Sequence, residues 1–264
     1  ESARDKEPFF LYLPMTSPHT PLSVNAEWIG KSGLDNLYAD LVMETDDVFG
    51  QVLDALEKYG VAENTLVLFT SDNGCAHYIG VDMMEEQGHY ASADLRGYKS
   101  DVWDGGHRIP FIARWPGVIK PGSENHDLVQ NLDYAETFLD LCGVKSPKDM
   151  QGESIVPLLK GKKPGDWRKS LYYHYYEFPG AHSVRRHYGV RTEKHKLIYF
   201  YNLDGWEMYD LEKDPNELNS VYGKPEYASL TKELKSHAAA EEQALYSTML
   251  RKPPTTDETR HSVA

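Results

Sequence analysis

The order strand, helix, strand over the first seventy residues constrains this chain more than any other feature. "PFFLYLPM" (8–15) is an apolar run of strand length, stopped by Pro14 and followed by the polar loop "TSPHTPL". Residues 34–59 then place Leu34, Leu37, Leu41, Val42, Val48, Val52 and Leu56 at helical spacing, with Gly60 as a C-terminal stop. Thr65–Thr70 supplies a second buried strand, rich in β-branched and aromatic residues. Two strands joined through a helix predict a right-handed parallel crossover in an α/β sheet.

Beyond Asn73 the periodicity dissolves. Residues 74–108 form a long polar segment with histidines, Lys99 and several glycines. Loops of that length inside a compact domain are usually functional or disordered. "IPFIARWPG" (109–117) restores a strand, and "DLVQNLDYAETFLDLCG" (127–143) reads as an amphipathic helix ending at Gly143. Residues 144–170 look like a surface connection. "SLYYHYYEF", "HYGVRTE", "HKLIYFYN" and "WEMYDL" are short aromatic strands at close spacing, the pattern of an antiparallel sheet. A turn at "DPNELNSV" and a helix over 229–246 complete the pattern. The expected division is an α/β part over 1–160, an antiparallel-sheet subdomain over 161–250, and a disordered tail over 251–264.

Composition excludes several functions. A net charge of -13 over 264 residues argues against a nucleic-acid binder, so any bound anion must be met by a few locally placed cations. Cys75 and Cys142 cannot build a disulfide framework or a zinc site by spacing. No apolar run approaches the ~20 residues of a membrane span. The 18 tyrosines and 5 tryptophans suit a protein that handles sugars.

The candidate chemistry lies at strand ends and in the long loop. Ligands in open α/β sheets collect beyond the carboxyl ends of strands. "TLVLFTSDNG" (65–74) ends in Asp72 and Asn73, which read either as an ordinary turn or as two hard oxygen donors for calcium or magnesium. His19 in "SPHTP" reads either as a surface residue or as a group aimed into a site. In "RGYKSDVWDGGHRIP" (96–110), Lys99 and Arg108 are candidate anion binders, and His107 is a candidate substrate contact. Gly105 and Gly106 would let the backbone pass close to a ligand. Alternatively, Asp101, Asp104 and Arg108 pair among themselves and hold the loop; Arg108 reads as structural rather than catalytic. In "FPGAHSVRRHYGVR" (178–191), His182, Arg185, Arg186 and His187 are candidates for a binding rim, or are merely solvated.

Taken together, "PFFLYLPMTSPHTPL", "ENTLVLFTSDNG" and "LRGYKSDVWDGGHRIPFIARWPG" resemble the second half of a type I, formylglycine-dependent sulfatase of the alkaline phosphatase superfamily. "WEMYDLEKDPNELNSV" resembles the strand and turn of that family's C-terminal subdomain. The likeness runs to about residue 246, with the pieces in family order. It implies part of an alkaline-phosphatase-like mixed sheet sandwiched by helices, with a smaller subdomain of antiparallel sheet plus helix. It further implies that His19 and Lys99 contact the sulfate group, that Asp72 and Asn73 bind Ca2+ (Mg2+ being the lesser fit), and that the substrate is a sulfated carbohydrate. Export to periplasm, lysosome or cell exterior is implied as well.

The family's nucleophile lies in Cys/Ser-x-Pro-x-Arg, oxidised to formylglycine, and neither "GCAHY" nor "LCGVK" fits it. "SPHTP" and "SPKDM" do not fit either. The expectation is therefore a C-terminal portion whose formylglycine and Asp-Asp metal pair belong to a missing N-terminal segment. Such a portion would pair with that segment and be inactive alone. A phosphoester or phosphonate hydrolase of the same superfamily, and a non-catalytic remnant that binds sulfated glycans, are the alternatives.

Overall fold

The computed structural model describes residue 2, residues 7–180 and residues 182–249. The tail expected over 251–264 lies outside the described residues. The chain divides into two compact units, Glu1–Glu124 with Leu159–Gly161, and Asn125–Leu158 with Lys162–Ala264. No helix among the described residues is long and apolar enough to cross a membrane.

In the first unit the helix expected over 34–59 forms as α1, Leu37–Lys58. It starts where Asn36, in extended conformation, accepts the N–H groups of Tyr38 and Ala39 through Oδ1 at 2.8 and 3.2 Å. The Nδ2 of the same side chain donates to the Ile79 carbonyl at 2.9 Å, so the cap also anchors the segment after the Asp72 turn. Strand β1, Val67–Thr70, meets α1 through Phe69 and Phe49, whose ring centroids are 5.0 Å apart. Two short helices follow, α2 at Val81–Glu86 and α3 at Asp104–His107. Strand β2, Phe111–Arg114, then pairs antiparallel with β1, Thr70 opposite Phe111. A small core of Ala39, Ala76, Ile79, Val81 and Met84 holds α1 against α2.

The run at 8–15 corrects one expectation. Its backbone makes no strand ladder, and Phe10, Leu11, Tyr12 and Leu13 are each more than half exposed. A strand exists by pairing its N–H and C=O groups with a neighbour, and no described strand lies beside this one. The predicted parallel crossover therefore does not form within the described residues; their sheets are antiparallel throughout. Ile112 on β2 and Val42 and Met43 on α1 are also exposed.

The second unit follows the aromatic pattern closely. Helix α4, Asp133–Leu141, is latched by Arg168, which forks onto the Asp133 carboxylate at 2.5 and 2.6 Å. Strands β3 (Ser170–Tyr175), β4 (His187–Thr192), β5 (His195–Phe200) and β6 (Gly205–Asp210) form one antiparallel sheet in that order. The register aligns Tyr172, Val190, Leu197 and Met208 in one row, and His174, Tyr188, Tyr199 and Trp206 in the next row of the same face. Helix α5, Ala228–Met249, closes the first row with Leu234 and Ala238.

Two polar clusters fix the far end of the sheet. In the first, Asp214 accepts the N–H groups of Leu218 and Asn219 at 3.1 and 2.7 Å. That knits the "DPNELNSV" turn and puts Glu217 at a left-handed φ of 54°. Its carboxylate meets Lys196 Nζ at 2.6 Å, both side chains being fully buried. In the second, Asp210 accepts from Lys213 Nζ and Tyr227 Oη, each at 2.7 Å. Lys213 first, and Tyr227 after it, hold the Asp210 carboxyl well below the usual carboxylate range.

The folded group thus releases its proton more readily than the unfolded one. Its contribution to stability is present at neutral pH and declines as pH falls through the ordinary value of about 3.9 towards the folded one. Asp210→Asn removes the titrating carboxyl and with it this pH-dependent contribution. Urea unfolding should show the variant less stable than the parent at pH 6, with the gap shrinking by pH 3. A gap that is constant across that range would rule out this linkage.

Candidate functional site

The Asp72 turn and the Lys99 loop are bound to each other through backbone. After β1, Ser71 Oγ donates to the Asn73 carbonyl at 3.1 Å, and Asn73 Nδ2 donates to the Gly74 carbonyl at 2.9 Å. The amide nitrogen is thus used within the turn, while Oδ1 keeps its lone pairs for an outside donor or cation. With the Asp72 carboxylate this makes two hard oxygen donors at a strand end, which fits part of a calcium site. Calcium takes about six to eight oxygens. Among the described residues no group of three or more His, Cys, Asp or Glu could hold a metal ion.

Gly74 N–H donates to the Gly106 carbonyl at 2.9 Å, and Lys99 N–H to the Cys75 carbonyl at 2.7 Å. These two bonds lay the 96–107 loop against the turn. The approach needs glycine on the turn side, and the loop needs another where its own two arms meet. A Cβ on Gly74 would collide with the Gly105 carbonyl, and one on Gly105 with the Gly97 carbonyl, with Arg96 O at 2.7 Å behind it.

Lys99 itself sits in a tight turn. Asp101 N–H donates to the Tyr98 carbonyl at 2.8 Å, and Asp101 Oδ2 accepts Tyr98 N–H at 3.0 Å. Ser100 takes a left-handed φ of 73°. A non-glycine residue there is held by its surroundings. The loop is further fixed by the Arg96 guanidinium, 3.7 Å over the Trp103 ring. Buried Asp104 lies 3.7 Å from Arg108 Nη1 and 3.9 Å from His107 Nε2, a loop-holding role for both.

The other candidates are placed separately. His19 is exposed, and its Nδ1 donates to the Thr20 carbonyl at 2.7 Å. Thr45 Oγ1 donates to Ser17 Oγ at 3.0 Å, tying this loop to α1. The ring's hydrogen bonds stay within its own turn and do not reach Lys99 or Asp72. His182 and Arg186 belong to the second unit. Arg186 N–H donates to Asn202 Oδ1 at 3.2 Å, and its carbonyl accepts Tyr201 N–H at 3.1 Å. Sequence reasoning missed the contact role of Gly74, the Cys75 carbonyl under Lys99, and Asp101 as the cap of its turn. Gly74 was visible only as a turn former, because a close approach to a residue thirty positions away leaves no local signal.

Known proteins resemble this chain in sequence and in fold. The family model described as Sulfatase matches residues 1–144, and that of the C-terminal region of N-sulphoglucosamine sulphohydrolase matches residues 98–244. An N-acetylglucosamine-6-O-sulfatase of Bacteroides thetaiotaomicron is 46% identical over 200 residues, 75% of this chain and 33% of that protein. Human arylsulfatase A is 32% identical over 247 residues, 84% of this chain and 46% of that protein. A solved structure in complex with its substrate, D-glucosamine-2-N,6-O-disulfate, superposes with a TM-score of 0.68 at 40% identity, covering 83% of this chain and 42% of that one. The phosphonate monoester hydrolase of Agrobacterium radiobacter, at 24% identity and a TM-score of 0.56 over 81% of this chain and 41% of that one, shares the fold. The chain thus spans a third to about half the length of these relatives.

Proposed function

The chain belongs to the sulfatase family, and from that membership we propose that it forms the C-terminal portion of a sulfuric ester hydrolase acting on sulfated carbohydrates. The observation that carries this reading is the backbone linkage of Lys99 to the Asp72–Asn73 turn. The backbone segments that carry a lysine and two hard oxygen donors are thereby joined in one loop pair, which supports this reading. Attack on the sulfur of a sulfate ester spreads negative charge over its oxygens, and preorganised positive groups stabilise that charge.

Lys99 would supply one such charge from a loop tied to the turn by its own backbone. Asp72 and Asn73 would hold calcium, which when bound would supply a second positive charge for the sulfate, and a formylglycine, for which no motif was found in this sequence, would supply the nucleophile. His19 donates to the leaving oxygen. Its Nδ1–H is committed to the Thr20 carbonyl, so that proton would leave from Nε2 of the imidazolium. In this reading His107 contacts the sugar besides holding its loop, and His182 and Arg186 are taken by themselves as a sugar-contacting rim of the second unit. The exposed apolar run at 9–13, with Ile112, Val42 and Met43, is covered by the part of the relatives' length that this chain does not span.

Sulfate release from N-acetylglucosamine-6-sulfate tests the reading. The purified 264-residue chain should show none. A longer polypeptide ending in this chain should turn over, and Lys99→Ala should lower its kcat/KM by about 10²–10³-fold, the usual loss for one electrostatic donor. Turnover by the short chain, or a longer polypeptide indifferent to Lys99→Ala, would refute it.

A further inference from the structure

The stretch 178–191 carries Arg185, Arg186 and Arg191 with His182 and His187 and no carboxylate, in a chain of net charge -13. Among the described residues neither Arg185 nor Arg186 belongs to an ion pair. Local positive charge in an acidic protein marks a place for an anion.

Aromatic rings adjoin that charge. Tyr201, whose N–H bonds the Arg186 carbonyl, holds its ring near-parallel to His174, with centroids 5.5 Å apart and an interplanar angle of 13°. His174 in turn stacks on Tyr176 at 3.9 Å. The two ring nitrogens of His174 are hydrogen-bonded to the hydroxyls of Tyr172 and Tyr201 at 3.1 and 3.0 Å, which fixes its plane and, through it, the rings on either side. This stack continues the sheet face on which α5 packs, yet Tyr176 remains 63% exposed and Tyr201 38%.

We propose that Tyr176 and Tyr201, held by His174 and flanked by Arg186, form a platform that binds a sugar ring of an anionic, sulfated glycan. The inference rests on the sulfated-carbohydrate reading given above and adds the side chains that would recognise the sugar. A pyranose presents an apolar face of C–H groups and a polar rim. The apolar face lies against the Tyr176 ring, and a rim sulfate meets the planar fork of Arg186. Rings already locked in place lose little freedom on binding. The carboxylates nearby set the orientation. Exposed Glu177 repels sulfate from the Tyr176 edge, Glu242 on α5 faces His174 and Tyr188, and Asp204 is engaged by the Tyr199 hydroxyl at 2.7 Å.

Isothermal titration of the 264-residue chain tests this with a sulfated glucosamine hexasaccharide, the same hexasaccharide stripped of sulfate, and inorganic sulfate. The sulfated sugar should bind best. Tyr176→Ala should weaken it about tenfold and Tyr176→Phe leave it unchanged, as an open ring face predicts. Arg186→Gln should flatten the salt dependence. Three results would overturn the proposal: no binding by the parent chain, Tyr176→Ala binding as the parent does, or inorganic sulfate competing at the same concentration as the sugar. Absence of sulfate release by the longer polypeptide would refute the enzymatic reading and leave these binding outcomes standing.

Discussion

Gly105→Ala should release the Lys99 loop from the Asp72 turn. The added methyl group has no room, since the atoms it would meet are the backbone carbonyls of Gly97 and Arg96 and not a side chain that can swing away. The two arms of the 96–107 loop must part, and the loop's hydrogen bonds to residues 74 and 75 shift with them. Amide hydrogen exchange on this chain reads the change directly. Protection of the Lys99 N–H, which donates to the Cys75 carbonyl, should be lost, while protection in β4 and β5 is kept. In the longer polypeptide the same substitution should lower kcat/KM by about 100-fold, the scale set by misplacing a reacting group by an ångström. Unchanged Lys99 protection would show that the glycine contact does not position this loop.

Lys196→Met should be the most destabilising single change in the second unit. It leaves the Glu217 carboxylate fully buried without its cation, which costs about 3–5 kcal/mol in comparable pairs. The double change Lys196→Met with Glu217→Leu should recover most of that loss, because two apolar side chains avoid desolvating charge altogether. Urea unfolding of the three variants provides the comparison. A single variant within 1 kcal/mol of the parent, or a double variant as unstable as the single, would contradict the account of this pair.

How much of this was legible in the sequence differs between the two units. The second unit's strands alternate side chains about their own backbone, and each pairs with its chain neighbour, β4–β5 and β5–β6 through short turns and β3–β4 across residues 176–186. Local pattern was enough to place all four and the helix at 228–249. In the first unit α1 was equally legible from its periodicity. The run at 8–15 was not, because a strand is defined by its partner and the local sequence reports only suitability for pairing. The same limit applies to the candidate site. Asp72, Asn73 and Lys99 were visible as residue types at strand and loop positions. The bonds that unite them run between main-chain groups at 74 and 106 and at 75 and 99, and backbone contacts carry no signature in residue identity. His19 marks the boundary of what the described contacts join, since its own bonds are all local.

The exposed run from Phe9 to Leu13 also bears on how the chain behaves in concentrated solution. Five consecutive large apolar residues with strand propensity make a segment of the kind that seeds cross-β assembly between identical molecules. Pro8 and Pro14 stand at its two ends, and proline withholds the N–H that a growing ladder would use. They act as gatekeepers, confining any intermolecular register to five residues and favouring solubility over fibre growth.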